Sequence, residues 1–196
     1  MTEHAGEYGG DPTRIVLTGH SAGAHLSACI GLDPPLLRAA GVAPGAITAL
    51  FLVSGPVGLR AQDFAPARWL WRFWVGRPLV NRLYYTVVAK NLRAVVGAPP
   101  DPAAIEAASP LARLGEVELA ALPRLVHLTY GGKGDFPFCK PQARRLQAAL
   151  GRAEGGPRVE VLALDEQDHF GTHYTTLGDE DGAWLAALRS VLTEEE

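Results

Sequence analysis

Apolar positions follow two patterns along this chain of 196 residues. In four short runs nearly every residue is apolar and many are β-branched, which is typical of strands buried on both faces. These runs cover residues 14–18, 47–54, 124–130 and 158–164. Elsewhere apolar residues recur at the spacing of a helix face, over residues 21–31, 140–151 and about 181–192. Strands that alternate with helices predict an α/β fold with a mostly parallel sheet covered by helices on both faces.

Turn-forming residues mark where several of these elements stop. Two prolines at residues 34–35 are expected to end the first helix, because proline cannot continue its hydrogen-bond ladder. Gly151 is expected to end the helix over residues 140–151. Residues 1–10 are interpreted as the end of a helix followed by a loop. No internal repeat or low-complexity tract divides the sequence, so we predict one domain over residues 1–196.

The most informative motif follows the first strand, where residues 19–23 read Gly-His-Ser-Ala-Gly. A Gly-x-Ser-x-Gly turn between a strand and a helix, the nucleophile elbow, lifts its serine clear of the sheet at a helix N-terminus. Gly19 and Gly23 are expected to let the strand and helix pack closely around His20 and Ser21. The Ala22 N–H is expected to donate to a developing oxyanion. Ser21 is therefore the predicted nucleophile, and the alternative is a turn whose serine only caps the helix.

A serine nucleophile needs a base, usually a histidine, and a carboxylate that orients the base. Parallel sheets place such groups in the loops after their strands. Asp135 lies in a glycine-rich and therefore flexible loop after the strand over 124–130, and His169 lies after the strand over 158–164. We predict that Asp135 is the acid, that His169 is the base, and that both act on Ser21.

Other residues compete for the two supporting roles. Asp165, Glu166 and Asp168 are alternative carboxylates, although they share one loop with His169. His173 follows four residues later and is the alternative base. Asp135 and His169 are preferred because they lie in separate loops at the ends of two predicted strands.

The remaining histidines and the two cysteines are expected to be structural. His127 alternates with apolar residues inside a strand and is predicted to be packed, as is His25 on the helix after Ser21. His20 is expected to point away from Ser21. Cys29 is predicted to be a small core residue and Cys139 to be partly exposed. Two cysteines at this spacing indicate neither a metal site nor a disulfide framework.

Taken together, these motifs resemble the α/β-hydrolase esterases. The similarity is greatest to the branch of carboxylesterases, hormone-sensitive-lipase-like esterases, prenylcysteine methylesterases and kynurenine formamidases. It is carried by Tyr-Gly-Gly-Asp-Pro at 8–12, the elbow, Ser-Pro at 109–110, Gly-Asp at 134–135 and Asp-His-Phe at 168–170. The resemblance covers the chain outside roughly 60–105. It implies a partial α/β-hydrolase fold with a helical cap insertion at about 60–105, and chemistry that needs no metal or organic cofactor.

The sequence departs from this family at the oxyanion hole. Members of the family usually carry a His-Gly-Gly-type loop upstream of the nucleophile, and the N–H groups of that loop form the other half of the hole. The residues before Ser21 contain no such motif. The chain is therefore expected to lack the N-terminal part of the fold, which leaves the first strand as an exposed sheet edge. Such an edge favours self-association or dependence on a partner.

An aromatic segment over residues 64–88 has its own pattern. It holds three of the four tryptophans together with several arginines, and the arginines and Pro78 interrupt it too often for a membrane span. We interpret it as a cap that lines an apolar acyl pocket. Two alternatives remain: a segment that rests on a membrane interface, where Trp and Arg are favoured, and helices whose aromatic residues fill the core.

Charge and composition narrow the class of function. A formal net charge of −3 gives no indication of nucleic-acid binding. The N-terminus has no apolar signal region, which favours a cytoplasmic location.

The predicted function is hydrolysis of a small-molecule carboxylic ester through an acyl-enzyme. The alternatives are an arylformamidase with the same triad and a non-catalytic hydrolase-like module or inactive fragment. The oligomeric state is left open.

Overall fold

The computed structural model describes residues 2–60, 102–132, 134–136, 138–151, 155–173 and 183–193. Within them lies a four-stranded sheet in the order β1-β2-β3-β4, and all its neighbouring strands are parallel. The strands are β1 (Ile15–His20), β2 (Ile47–Val53), β3 (Leu125–Gly131) and β4 (Arg158–Leu164). The predicted α/β fold with a parallel sheet is therefore confirmed.

Five α-helices are described: α1 (Ala22–Gly31), α2 (Pro34–Ala39), α3 (Pro102–Ala107), α4 (Cys139–Leu150) and α5 (Ala183–Thr193). Shorter 3₁₀ segments cover Thr2–Tyr8, Pro110–Glu116 and Leu119–Ala121. Helix α2 was not predicted from the sequence. The Asp33 carboxylate accepts the Leu36 N–H at 3.0 Å, and Pro34 occupies the first helical position, where no N–H is needed. The prolines that end α1 therefore also begin α2.

One face of the sheet packs against α1 and α4. Leu50 and Leu52 of β2 and Val126 and Leu128 of β3 form the centre of this core and are buried. Helix residues that cover them include Ala24, Ala28, Ala143, Leu146 and Leu150. The small alanines Ala24 and Ala28 let α1 approach the sheet closely.

The opposite face is covered by α5. Ala49, Phe51 and Val53 of β2 alternate with the residues of the first core and form a second buried cluster with Leu125. Ala187, Leu188 and Val191 of α5 pack against it. The sheet is thus covered by helices on both faces, as the continuous apolar runs predict.

Strand β1 is an edge of the sheet in the part of the chain that the structure describes, as predicted. Because the strands are parallel, their carboxyl ends lie at one rim, and the loops after β1, β2, β3 and β4 meet there.

The predicted cap at 60–105 and the aromatic segment at 64–88 fall mainly on residues 61–101, outside the described residues. None of the described helices is long and apolar enough to cross a bilayer.

Candidate active site

Ser21 lies in the sharp turn that joins β1 to α1. Its backbone has φ 56° and ψ −118°, a conformation that residues other than glycine rarely adopt. Its N–H donates to the Val53 carbonyl at 2.9 Å, which ties the turn to the end of β2. The Ser21 side chain makes no capping hydrogen bond to α1. The alternative interpretation of Ser21 as a helix cap therefore has no hydrogen bond to support it.

Glycines make this turn possible, but close packing requires only one of the two predicted glycines, Gly19. A Cβ on Gly19 would overlap the carbonyl group of Gly23, so strand and helix touch through their backbones at this point. A Cβ on Gly23 itself would meet no described atom within 4 Å, so the expected crowding at Gly23 was wrong. A further glycine, Gly55, is needed because its Cβ would overlap Ala24 and come within 3.0 Å of the Ser21 carbonyl oxygen.

Asp135 and His169 meet in a buried hydrogen bond. The His169 Nδ1 lies 2.8 Å from the Asp135 Oδ1, and the two side chains are 6% and 2% exposed. The same carboxylate accepts the N–H groups of Gly131 and Phe136, both at 2.7 Å, and the Ser54 hydroxyl at 2.9 Å. Burial alone would raise the pKa of Asp135, but these hydrogen bonds outweigh it and hold the pKa below its ordinary value. The carboxylate is therefore ionised at neutral pH.

An ionised carboxylate fixes the tautomer of the histidine beside it. Because Asp135 can only accept, the hydrogen on His169 is assigned to Nδ1. In its neutral form the ring then carries a lone pair on Nε2. This is the arrangement that a general base requires, with one nitrogen held by an acid and the other able to accept a proton.

His20, the residue immediately before Ser21, contacts His169 directly. Its Nε2 donates to the His169 carbonyl oxygen at 2.7 Å, and the two rings are 4.6 Å apart. Burial lowers the pKa of His20, so the ring is neutral near pH 7 with its hydrogen on Nε2. His20 was predicted as part of the elbow, with its side chain pointing away from Ser21. Its contacts with His169 join the turn of Ser21 to the loop of His169, which the sequence did not indicate.

The glycine-rich loop after β3 is shaped by close packing. A Cβ on Gly132 would overlap the backbone of Asp165, and one on Gly134 would overlap the side chain of Asp168. The Gly132 N–H also donates to the Gln167 carbonyl at 2.8 Å. These glycines were interpreted as a source of flexibility, but they allow the acid and histidine loops to lie against each other. Contact between the two loops brings Asp135 to His169.

Aromatic side chains form a wall around His169. The Phe136 ring lies 4.0 Å from the imidazole, and Phe138 stacks on Phe136 at 5.7 Å. Phe170 meets the imidazole edge-on at 5.5 Å and is 59% exposed. The His169 imidazole is therefore flanked by apolar side chains.

Two of the competing residues, Asp168 and His173, have other contacts. Asp168 accepts the Gly171 N–H at 2.6 Å. His173 stacks on His20 with their rings 5.0 Å apart.

His127 is buried and pairs with Glu160 at 3.3 Å, and the His25 ring bonds to the Ala108 carbonyl at 2.8 Å. His127 and His25 are thus packed in structural positions, as expected.

The expectation for Cys139 was wrong, because this residue is buried at the start of α4. Burial and the neighbouring Asp135 carboxylate raise the pKa of its thiol well above the ordinary value. One ligand atom each from Cys139, Asp135 and His169 lies within 4.8 Å of the others. The thiol retains its proton, however, and the carboxylate and imidazole are bonded to each other. This donor set does not fit a resident metal.

Comparisons with known proteins identify the fold. No family model matches the sequence, and the search of curated proteins found no match. Esterase B from Lactobacillus rhamnosis, solved with a tributyrin phosphonate inhibitor, is 16% identical with a TM-score of 0.62, covering 97% of this chain and 55% of that one. EstE1, a thermostable carboxylesterase cloned from a metagenomic library, is 21% identical with a TM-score of 0.62, covering 98% and 60% respectively. The chain therefore has the α/β-hydrolase fold and spans a little over half the length of these two esterases.

Proposed function

We propose that this protein is a serine hydrolase of small-molecule carboxylic esters, with Ser21 as nucleophile, His169 as base and Asp135 as acid. The observation that carries the proposal is the buried 2.8 Å bond between His169 and Asp135. This pair lies against His20, whose neighbour Ser21 occupies a strained turn at the start of α1. The fold shared with two carboxylesterases supports the same class of reaction.

The reaction proceeds in two halves. The Ser21 Oγ attacks the ester carbonyl carbon while His169 Nε2 takes the hydroxyl proton, which then passes to the departing alkoxide as it leaves as an alcohol. In the second half His169 takes a proton from water, the resulting hydroxide attacks the acyl carbon, and the proton returns to the Ser21 oxygen. The products are an alcohol and a carboxylic acid.

Asp135 acts by its charge and its position. When His169 takes up a proton it becomes an imidazolium, and the ionised carboxylate at 2.8 Å stabilises that cation. Because the low pKa of Asp135 keeps it charged, this stabilisation is present across the neutral pH range.

The oxyanion is stabilised at the N-terminus of α1. Ala22 is the first residue of α1, so its N–H has no acceptor within the helix. That N–H and the positive end of the helix dipole are positioned for the negative oxygen of the tetrahedral intermediate. The aromatic wall beside His169, formed by Phe136, Phe138 and Phe170, favours apolar, uncharged esters.

Hydrolysis of p-nitrophenyl butyrate tests the proposal. We expect the purified chain to hydrolyse it and Ser21→Ala to lose the activity. Asp135→Asn is expected to lower kcat by about 10⁴-fold, because the carboxylate sets the histidine tautomer. Ser27→Ala is the matched control, since Ser27 lies on the same helix and, among the described residues, its hydroxyl bonds only to the Thr18 carbonyl. Full activity in Ser21→Ala would contradict the proposal.

Two further outcomes separate the alternatives. Faster hydrolysis of an N-formyl aromatic amide than of any ester in a chain-length series would assign the same residues to an arylformamidase. A folded wild-type chain that cleaves neither substrate would contradict the proposal and favour a non-catalytic hydrolase-like module.

A further inference from the structure

We propose that Ser54, which no sequence motif indicates, is a positioning residue that fixes the Asp135 carboxylate against the base. The inference rests on the proposed serine-hydrolase function. It concerns a side chain that touches neither the scissile bond nor the nucleophile in the mechanism above. Ser54 acts through Asp135 and through the loop that carries His169.

The backbone of Ser54 is the first evidence. Ser54 directly follows β2, is 1% exposed and has φ 46°. A residue other than glycine in the left-handed region costs about 1 kcal/mol or more and is found where the surrounding structure requires it. Its N–H donates to the Thr129 carbonyl at 2.8 Å, which fixes this conformation at the end of the strand. Glycine would fit the backbone better, so the side chain of Ser54 needs an explanation.

The contacts of the Ser54 hydroxyl explain why a serine occupies this position. Its Oγ lies 2.9 Å from the Asp135 Oδ2 and 2.9 Å from the Thr172 Oγ1. The Thr172 Oγ1 in turn lies 2.8 Å from the carbonyl oxygen of His169. A buried chain of two hydroxyl groups therefore runs from the acid to the backbone of the base, parallel to the direct bond between their side chains.

Counting hydrogens shows which of these contacts dominates. Three contacts share only the two hydroxyl hydrogens of Ser54 and Thr172, because the carboxylate and the carbonyl can only accept. A hydrogen bond to a charged acceptor is stronger than one to a neutral acceptor. The Ser54 hydrogen is therefore directed to Asp135, and the Thr172 hydrogen is shared between Ser54 and the His169 carbonyl.

His20 completes this arrangement. The His169 carbonyl already accepts the His20 Nε2–H at 2.7 Å, so it stays satisfied when the Thr172 hydrogen turns toward Ser54. In that state Ser54 accepts from Thr172 while donating to Asp135, and each bond polarises the next. Ser54 thereby holds the carboxylate in the orientation that its Oδ1 needs for His169.

The test is Ser54→Gly, which removes the hydroxyl and suits the positive φ. We expect this variant to fold, because relief of the positive φ offsets part of the cost of the lost hydrogen bond, while kcat falls about tenfold and KM stays nearly constant. Without the Ser54 hydroxyl the carboxylate can turn away from His169, so it stabilises the imidazolium formed in the transition state less well.

Companion variants separate positioning from folding. Ser54→Ala removes the same hydroxyl but keeps the strain, so it should share the loss of kcat and melt at a lower temperature than Ser54→Gly. Thr172→Val should lower kcat by less than Ser54→Gly, and Thr172→Ser should restore it. Ser109→Ala is the matched control, because Ser109 is also buried and its hydroxyl accepts the Leu111 N–H instead of bonding to the acid.

A readout without catalysis keeps this inference distinct from the proposed function. The Nδ1–H resonance of His169, the hydrogen bonded to Asp135, is recorded by NMR in wild type and Ser54→Gly, and a shifted or broadened resonance in the variant supports the positioning role even if no ester is cleaved. The proposal is overturned if folded Ser54→Gly keeps wild-type kcat and the same His169 Nδ1–H resonance. It is also overturned if the loss of kcat follows melting temperature across the variants.

Discussion

Two serines at the ends of neighbouring strands have positive φ, 56° at Ser21 and 46° at Ser54. The register pairs His20 of β1 with Val53 of β2, so the two serines occupy equivalent positions one residue beyond the sheet. Backbone strain of this kind concentrates where function requires a defined side-chain direction. In our account one serine supplies the reacting oxygen and the other orients the acid.

Buried histidines make stability depend on pH. Burial lowers the pKa of both His20 and His127, whereas in the unfolded chain each has an ordinary value near 6.5. Below about pH 6.5 the unfolded state therefore binds more protons than the folded state, and the free energy of unfolding falls as pH falls. The slope is at most about 1.4 kcal/mol per pH unit for each histidine.

Urea denaturation at pH 7.5, 6.5 and 5.5 measures this slope. We expect it to be smaller in His127→Gln, which cannot titrate, whatever the effect of that change on absolute stability. Asp135 does not contribute in this window. Its pKa is depressed, so the stability it adds is present above the unfolded value of about 3.9 and is lost only in stronger acid. Equal stability at pH 7.5 and 5.5 would contradict the assignment of neutral buried histidines.

At the scale of elements, the β1–α1 turn depends on one of its two motif glycines. A Cβ on Gly19 would overlap the backbone of Gly23, so Gly19→Ala forces the strand and helix apart. We expect it to destabilise the protein by about 1–3 kcal/mol. Gly23→Ala meets no described atom and lies in a helix, so it should be neutral or stabilising by about 0.5–1 kcal/mol.

Thermal melts of Gly19→Ala and Gly23→Ala side by side measure this difference, because both variants add the same methyl group four residues apart. Equal losses of stability in the two variants would show that the turn is not packed as described.

The elements themselves could be predicted because their patterns are local. Continuous apolar runs located β2 to within one residue, and helical spacing ended by Gly151 located α4. The reason for the glycines at 131–134 could not be predicted, since the histidine loop that crowds them is about thirty residues away in sequence. The same limit applies to Cys139. Its local sequence predicted partial exposure, but tertiary packing buries it beside Asp135.

The same limit separates the site residues that sequence motifs predict from those that only the fold identifies. Ser21, Asp135 and His169 could be proposed from the sequence because each follows a strand in a recognisable motif. Ser54 and Thr172 lie in no motif, and their hydroxyls acquire partners only when the loops after β2, β3 and β4 meet. Serine at the end of an apolar strand was the one available signal for Ser54.

At the scale of the whole molecule, the open edge of β1 is the main liability. Among the described residues β1 has a partner strand only on the β2 side, and an uncovered apolar edge favours pairing with another chain. We therefore expect the isolated chain of residues 1–196 to self-associate as its concentration rises, as the sequence also predicts.

Size-exclusion chromatography with light scattering measures this behaviour. Thr18 is exposed on β1, so Thr18→Lys places a charge on the edge and should return the chain toward monomer. Thr13→Lys, just before the strand, adds the same charge outside the edge and is the control. A wild-type chain that stays monomeric at all concentrations would show that the edge is not available for pairing.

Labelling with a fluorophosphonate identifies the nucleophile without any assumption about the substrate. We expect one adduct per chain, located by peptide mass spectrometry on Ser21, absent in Ser21→Ala and formed much more slowly in His169→Asn. A folded wild-type chain that takes up no label, or an adduct that persists in Ser21→Ala, would show that Ser21 is not the nucleophile.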